Sequence, residues 1–70
     1  MSEGAVAIDA RGLRCPWPAL RLARVMRSAR SVSIRADDPL APAEIAALAT
    51  ANGWTVHPAG DTLVVTAADR

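Results

Sequence analysis

The sequence predicts an α+β fold, a two-layer α/β sandwich of order βαβαββ with a four-stranded mixed sheet and two helices on one face. Three observations predict it. Short runs with period-two alternation are interleaved with two stretches of helical spacing. The chain is 70 residues long, enough for one small core and one domain spanning 1–70. Apolar types make up 51% against 21% charged, which is the balance of a folding chain and not of a disordered one. Two helices are too few to cover both faces of so small a sheet, so they belong together on one face.

Ala5 to Ala10 alternates Val6 and Ile8 with Ala5 and Ala7, a first strand closed by Asp9 and by a turn at Arg11-Gly12. A helix over 16–29 follows. Pro16 suits its first position, where an N–H would have no intrahelical partner, and Cys15 then takes the capping position. Ala19, Leu22, Ala23, Met26 and Ala29 fall on one helical face, with Arg21, Arg24 and Arg27 off it. Ser31 to Ala36 sets Val32 and Ile34 against Ser31, Ser33 and Arg35, a second strand with one buried face. Asp37-Asp38-Pro39 ends it. Ile45, Leu48 and Ala49 mark a second helix over about 42–52, with Asn52-Gly53 as its stop. Trp54 to Pro58 is a third strand with Trp54 in the core, Gly60-Asp61 a hairpin turn, and Thr62 to Ala67 a fourth strand.

A domain of this size buries only about 60% of its extended-chain surface, which leaves little room for a deep substrate cavity. One cysteine permits neither an internal disulfide nor a multi-cysteine metal cage, and a reducing cytosol suits it. No signal-peptide pattern or membrane-length apolar run is present, so a cytoplasmic location is expected.

Net charge is +1, but the charges are segregated. Seven arginines lie between Arg11 and Arg35 without an Asp or Glu among them, and the seven acids lie outside that span. Sixteen alanines and the absence of lysine point to compositional bias, which accounts for the choice of arginine and not for its placement. A basic half on a nearly neutral chain is a footprint for an acidic partner.

Cys15 is the one strong nucleophile candidate, set in Gly12-Leu13-Arg14-Cys15-Pro16-Trp17-Pro18 at a helix start. The helix dipole favours a thiolate there by about 0.3–1 kcal/mol, less than one pKa unit at about 1.36 kcal/mol per unit, and Arg14 and Arg11 are expected to add to it. Pro16 and Pro18 lack N–H groups, so stabilisation would be more dipolar than hydrogen-bonded. Position alone leaves two readings of Cys15 open, a small core hydrophobe or an exposed thiol. Trp17, between two prolines, is either a cap over the core edge or a partner anchor. His57 reads as an ordinary strand residue more readily than as a base for Cys15. One Cys and one His make no metal site, and Asp37-Asp38 reads as a turn and helix-start acid pair.

With these motifs in place, the chain resembles the TusA/SirA-like sulfur carrier family over Asp9 to about Val65. The carriers' Asp, Gly-Leu and Cys-Pro-x-Pro with a following Leu appear as Asp9, Gly12-Leu13, Cys15-Pro16-Trp17-Pro18 and Leu20. Their Asp-Asp-Pro, helical Ile and Gly before the third strand appear as Asp37-Asp38-Pro39, Ile45 and Gly53. The resemblance implies the βαβαββ sandwich read above. It also implies that Cys15 takes up sulfane sulfur as a persulfide, with Asp9, Gly12, Leu13, Pro16 and Pro18 as supporting motif residues. The donor would be a cysteine desulfurase or rhodanese-like protein and the recipient a downstream sulfur-accepting protein. Such relays serve tRNA thiolation, molybdenum cofactor biosynthesis or oxidative sulfur metabolism. No cofactor is expected beyond the covalent sulfur, and the chain reads as a relay carrier and not as a self-sufficient enzyme. Arg14, Trp17, Arg21 and Arg24 are the expected partner-binding residues. Trp17 departs from the polar residue often found at that position in the tRNA-thiolation carriers, and the usual glycine between the first helix and second strand is absent from Ser28-Ala29-Arg30-Ser31. The competing reading is a small arginine-faced module for binding nucleic acid or protein, or for redox regulation, with a structural Cys15. Two tryptophans without Tyr or Phe make poor stacking platforms for nucleic acid.

Overall fold

The computed structural model describes residues 6–67. The elements run β1 (Val6–Asp9), α1 (Trp17–Val25), β2 (Ser31–Arg35), α2 (Ala41–Asn52), β3 (Thr55–Ala59) and β4 (Thr62–Thr66). This is the expected βαβαββ order. The expected start of the first strand at Ala5 lies outside the described residues.

The sheet order is β1-β2-β4-β3. β1 runs parallel to β2 in the register Ile8 to Ile34, and β4 is antiparallel to both β2 and β3. The sheet is therefore mixed. Period-two alternation places Ile8, Val32, Ile34 and Val65 on the face that α1 and α2 cover. They are buried there with Leu22 and Met26 of the first helical segment and Ala41 and Ile45 of α2.

The first helix is shorter than its apolar spacing suggests. It begins at Trp17 with Pro16, not Cys15, in the capping position, and no side chain caps it. Helical bonding starts with the Leu20 N–H to the Pro16 carbonyl at 3.0 Å, and Pro18 in the first turn has no N–H to lose. The α-helix ends at Val25, and a turn carries the chain on through Ser28. Met26 still bonds to the Leu22 carbonyl at 2.9 Å and is buried, so the apolar stripe outlasts the α-helix.

The second helix ends as expected. Gly53 adopts φ 74°, and the Trp54 N–H reaches back to the Ala49 carbonyl at 2.8 Å. That bond holds Trp54 outside β3, which starts one residue later than expected, and Trp54 packs half-buried against the core. β3 extends through Pro58 to Ala59 as a sheet edge, where a proline is tolerated because no neighbour needs its N–H. β2 and β4 each close one residue short of expectation, at Arg35 and Thr66.

Candidate functional site

The residues between β1 and α1 form a loop that the segment after β2 holds in place. The buried Ala10 donates its N–H to the Arg35 carbonyl at 2.7 Å and accepts from Leu13 at 3.2 Å. Gly12 takes φ 87°, open to glycine and costly to other residues, and its N–H bonds to Asp37 Oδ1 at 2.9 Å. The Cys15 N–H bonds to Asp38 Oδ2 at 2.6 Å. Asp38 also serves the start of α2, since its carbonyl accepts from Ala41 at 2.9 Å and Oδ1 from Leu40 at 3.4 Å. The two acids after β2 thus join the cysteine loop to the start of α2. The Cys15–Pro16 peptide is cis.

Cys15 is half-buried and its thiol is free. Of the two readings left open by its position, the fully buried one does not hold. Its electrostatic surroundings also differ from the expected ones. Partial burial pushes the thiol pKa up, and the Glu44 carboxylate adds to this as hydrogen-bond partner and as a negative charge. Asp38 adds a further negative charge. The expectation of a helix dipole and arginines favouring the thiolate is corrected on three physical grounds. Pro16 and Pro18 withhold N–H groups from the helix tip. Arg11 is turned onto Asp9, with Nε and Nη2 each 2.8 Å from a carboxylate oxygen. That pairing holds the Asp9 carboxyl well below the usual carboxylate range. The acids at the start of α2 are the charges the thiol meets.

The other expected site residues take distinct places. Pro18 is buried beneath the loop and Leu13 packs against the core. Trp17, Arg21 and Arg24 line one groove of about 750 Å³ between β1 and α1. Arg14 lines a separate hollow with Gly12, Asp37, Asp38 and Leu40. Trp17 is 59% exposed and so does not cap the core. His57 pairs with Val64 and, between core-facing Val56 and Pro58, looks to the sheet face away from the helices. It is no base for Cys15. Among the described residues no group of three His, Cys, Asp or Glu side chains could hold a metal ion.

Sequence reasoning missed Glu44. Its place in the first turn of α2 was legible, but its approach to Cys15 arises from the packing of α1 against α2. The sequence marks Asp37 and Asp38 as a turn and helix-start acid pair and as motif residues, but not their hydrogen bonds to the cysteine loop.

A single thiol on a loop pinned between two helix starts, on a helix-covered four-stranded sheet, defines a small thiol-bearing α+β domain. The family described as Sulfurtransferase TusA matches residues 6–66, and the chain belongs to that family. Its general role is accordingly that of a sulfur carrier in a relay between donor and acceptor proteins. No curated protein matches the chain. No helix among the described residues is long and apolar enough to cross a membrane.

Proposed function

We propose that Cys15 is the carrying residue, taking up sulfane sulfur as a persulfide and passing it to a cysteine of a downstream protein in the cytoplasm. In the loading step the Cys15 sulfur attacks the outer sulfur of a donor persulfide. A new S–S bond forms at Cys15, the donor's S–S bond breaks, and the donor leaves as a thiol carrying the proton that Cys15 gave up. The sulfur keeps its oxidation level, so no oxidant or reductant is consumed. A cysteine desulfurase or a rhodanese-like protein supplies such a donor. Delivery repeats the exchange in the opposite sense, toward tRNA thiolation, molybdenum cofactor assembly or oxidative sulfur metabolism.

The observation that carries this reading is the half-buried thiol on a loop fixed by Asp37 and Asp38. A carrier thiol must be open to another protein's cysteine and must be a thiolate when it attacks. Partial burial, and after it the Glu44 and Asp38 carboxylates, push the Cys15 thiol pKa up, so docking that screens these acids favours the attacking thiolate. Asp9, Gly12, Leu13, Pro16 and Pro18 shape the loop, and Arg14, Trp17, Arg21 and Arg24 meet the partner. Charge complementarity of this kind acts mainly on encounter rate and specificity.

The test is the intact mass of the protein after incubation with a cysteine desulfurase and cysteine, and separately with a rhodanese and thiosulfate. A reductant-labile gain of sulfur mass is expected on the wild type and not on Cys15→Ser. No gain with either donor would overturn the assignment.

A further inference from the structure

The groove between β1 and α1 has a composition that the carrier chemistry alone does not require. Its floor and walls include Val6, Ile8, Leu13, Trp17 and Leu20, and Arg21 and Arg24 line its α1 side. Three of these apolar side chains are open to water, at 46% for Val6, 59% for Trp17 and 51% for Leu20. Lone exposed apolar residues need no explanation, whereas three lining one groove mark an interaction surface.

The groove also runs along an open sheet edge. β1 ends the strand order, and only β2 pairs with it among the described residues. Just past the strand, the Ala10 N–H points to Arg35 of β2. Backbone groups alternate sides along a strand, so the main-chain groups of Ala7 and Asp9 point to the open edge. An unpaired edge beside an apolar groove is the geometry of strand addition, in which main-chain bonds give affinity and alternate side chains give specificity.

We propose that this groove binds an extended acidic segment of a relay partner, which adds as a strand to the free edge of β1. The side chains of that strand that face α1 are apolar where they pack against Trp17 and Leu20 and acidic where they meet Arg21 and Arg24, and the intervening ones face away from the helices. Charge selects this occupant. Among the described residues the one carboxylate lining the groove, Asp9, is already paired with Arg11. A second copy of the chain would set its own Arg21 and Arg24 against these, and like charges across an interface are costly. Leu13 and Trp17, each two residues from Cys15, both line the groove. A segment seated there would therefore sit against the two flanks of the cysteine loop. Only the partner's identity as a relay protein rests on the function proposed above.

The probe is an acetylated and amidated eight-residue peptide, Val-Thr-Asp-Thr-Val-Thr-Asp-Thr, whose valines and aspartates share one face, titrated to millimolar concentration into isotope-labelled protein while amide shifts are followed. Shifts confined to β1 and α1 are expected. Replacing the peptide's aspartates by lysines should weaken binding at least tenfold, and Arg21→Glu with Arg24→Glu should reverse that preference. N-methylation of alternate peptide amides, in the phase that pairs with β1, should abolish binding. No binding, equal binding of both peptides, or binding that survives methylation in both phases would overturn the proposal. Concentration-dependent dimers broken by Arg21→Glu would do so too, by making a second copy the occupant. Repeating the titration on Cys15→Ser separates this from the carrier role, because the groove should bind unchanged when no persulfide can form.

Discussion

The Asp38 carboxylate accepts the backbone N–H of Cys15 at 2.6 Å while its other oxygen accepts from Leu40 at 3.4 Å. One side chain therefore fixes the cysteine loop and starts α2. A hydrogen bond to a charged acceptor contributes more than a neutral one. Asp38→Ala should destabilise the fold by about 1–3 kcal/mol in urea denaturation, since it leaves the half-buried Cys15 N–H without its acceptor. It should also make the thiol more acidic, because a negative charge near it is gone. A variant as stable as the wild type would mean that the loop is held by other contacts.

Glu44 acts on the same thiol from the first turn of α2. Its carboxylate disfavours a second negative charge, so Glu44→Gln should shift the pH profile of iodoacetamide alkylation to lower pH and raise the rate at neutral pH. The wild-type profile should lie above that of the urea-unfolded chain. The linkage has a definite sign. A thiol pKa raised by folding supports the native state fully below the unfolded thiol pKa, and this support is lost as pH rises through the folded value. Stability should therefore decline at alkaline pH in the wild type and decline less in Cys15→Ser. An alkylation profile unmoved by Glu44→Gln would remove Glu44 from the site.

These two residues also mark what the sequence could and could not disclose. The element order, the buried stripe through Leu22 and Met26 and the single thiol of Cys15 were all legible, because each rests on local spacing or on one residue type. Element ends were displaced where a backbone hydrogen bond decides them. The bond from Trp54 to Ala49 is the clearest case, since it delays β3 by one residue. The thiol's electrostatics are not legible from the sequence, in which its charged neighbours are Arg11 and Arg14. Glu44 becomes its neighbour only through helix packing, and Arg11 is already engaged by Asp9.

Gly12 separates conformational cost from packing cost. A Cβ added there would meet nothing within 4 Å, yet φ is 87°. Gly12→Ala should therefore destabilise through the backbone alone, by roughly 1–2 kcal/mol, and Gly12→Asn by less, because asparagine tolerates positive φ better. Comparable losses for alanine and asparagine would point instead to a steric clash that the open space around Gly12 does not provide.

Leu20 and Leu22 stand two residues apart on α1 and should behave in opposite ways. Leu22 is 0% exposed in the core, and Leu20 is 51% exposed in the groove beside β1. At roughly 0.05–0.15 kcal/mol per residue, 70 residues hold about 4–10 kcal/mol in total. Removing a buried leucine side chain costs about 2–5 kcal/mol, so Leu22→Ala should consume a large share of that stability and lower the thermal midpoint markedly. Leu20→Ala should change stability by within about 0.5 kcal/mol, while weakening whatever binds the groove. Thermal unfolding of the two variants, set beside peptide titration of Leu20→Ala, makes the comparison. If Leu20→Ala unfolds the chain as Leu22→Ala does, Leu20 is a packing residue and the groove loses one of its two central apolar contacts.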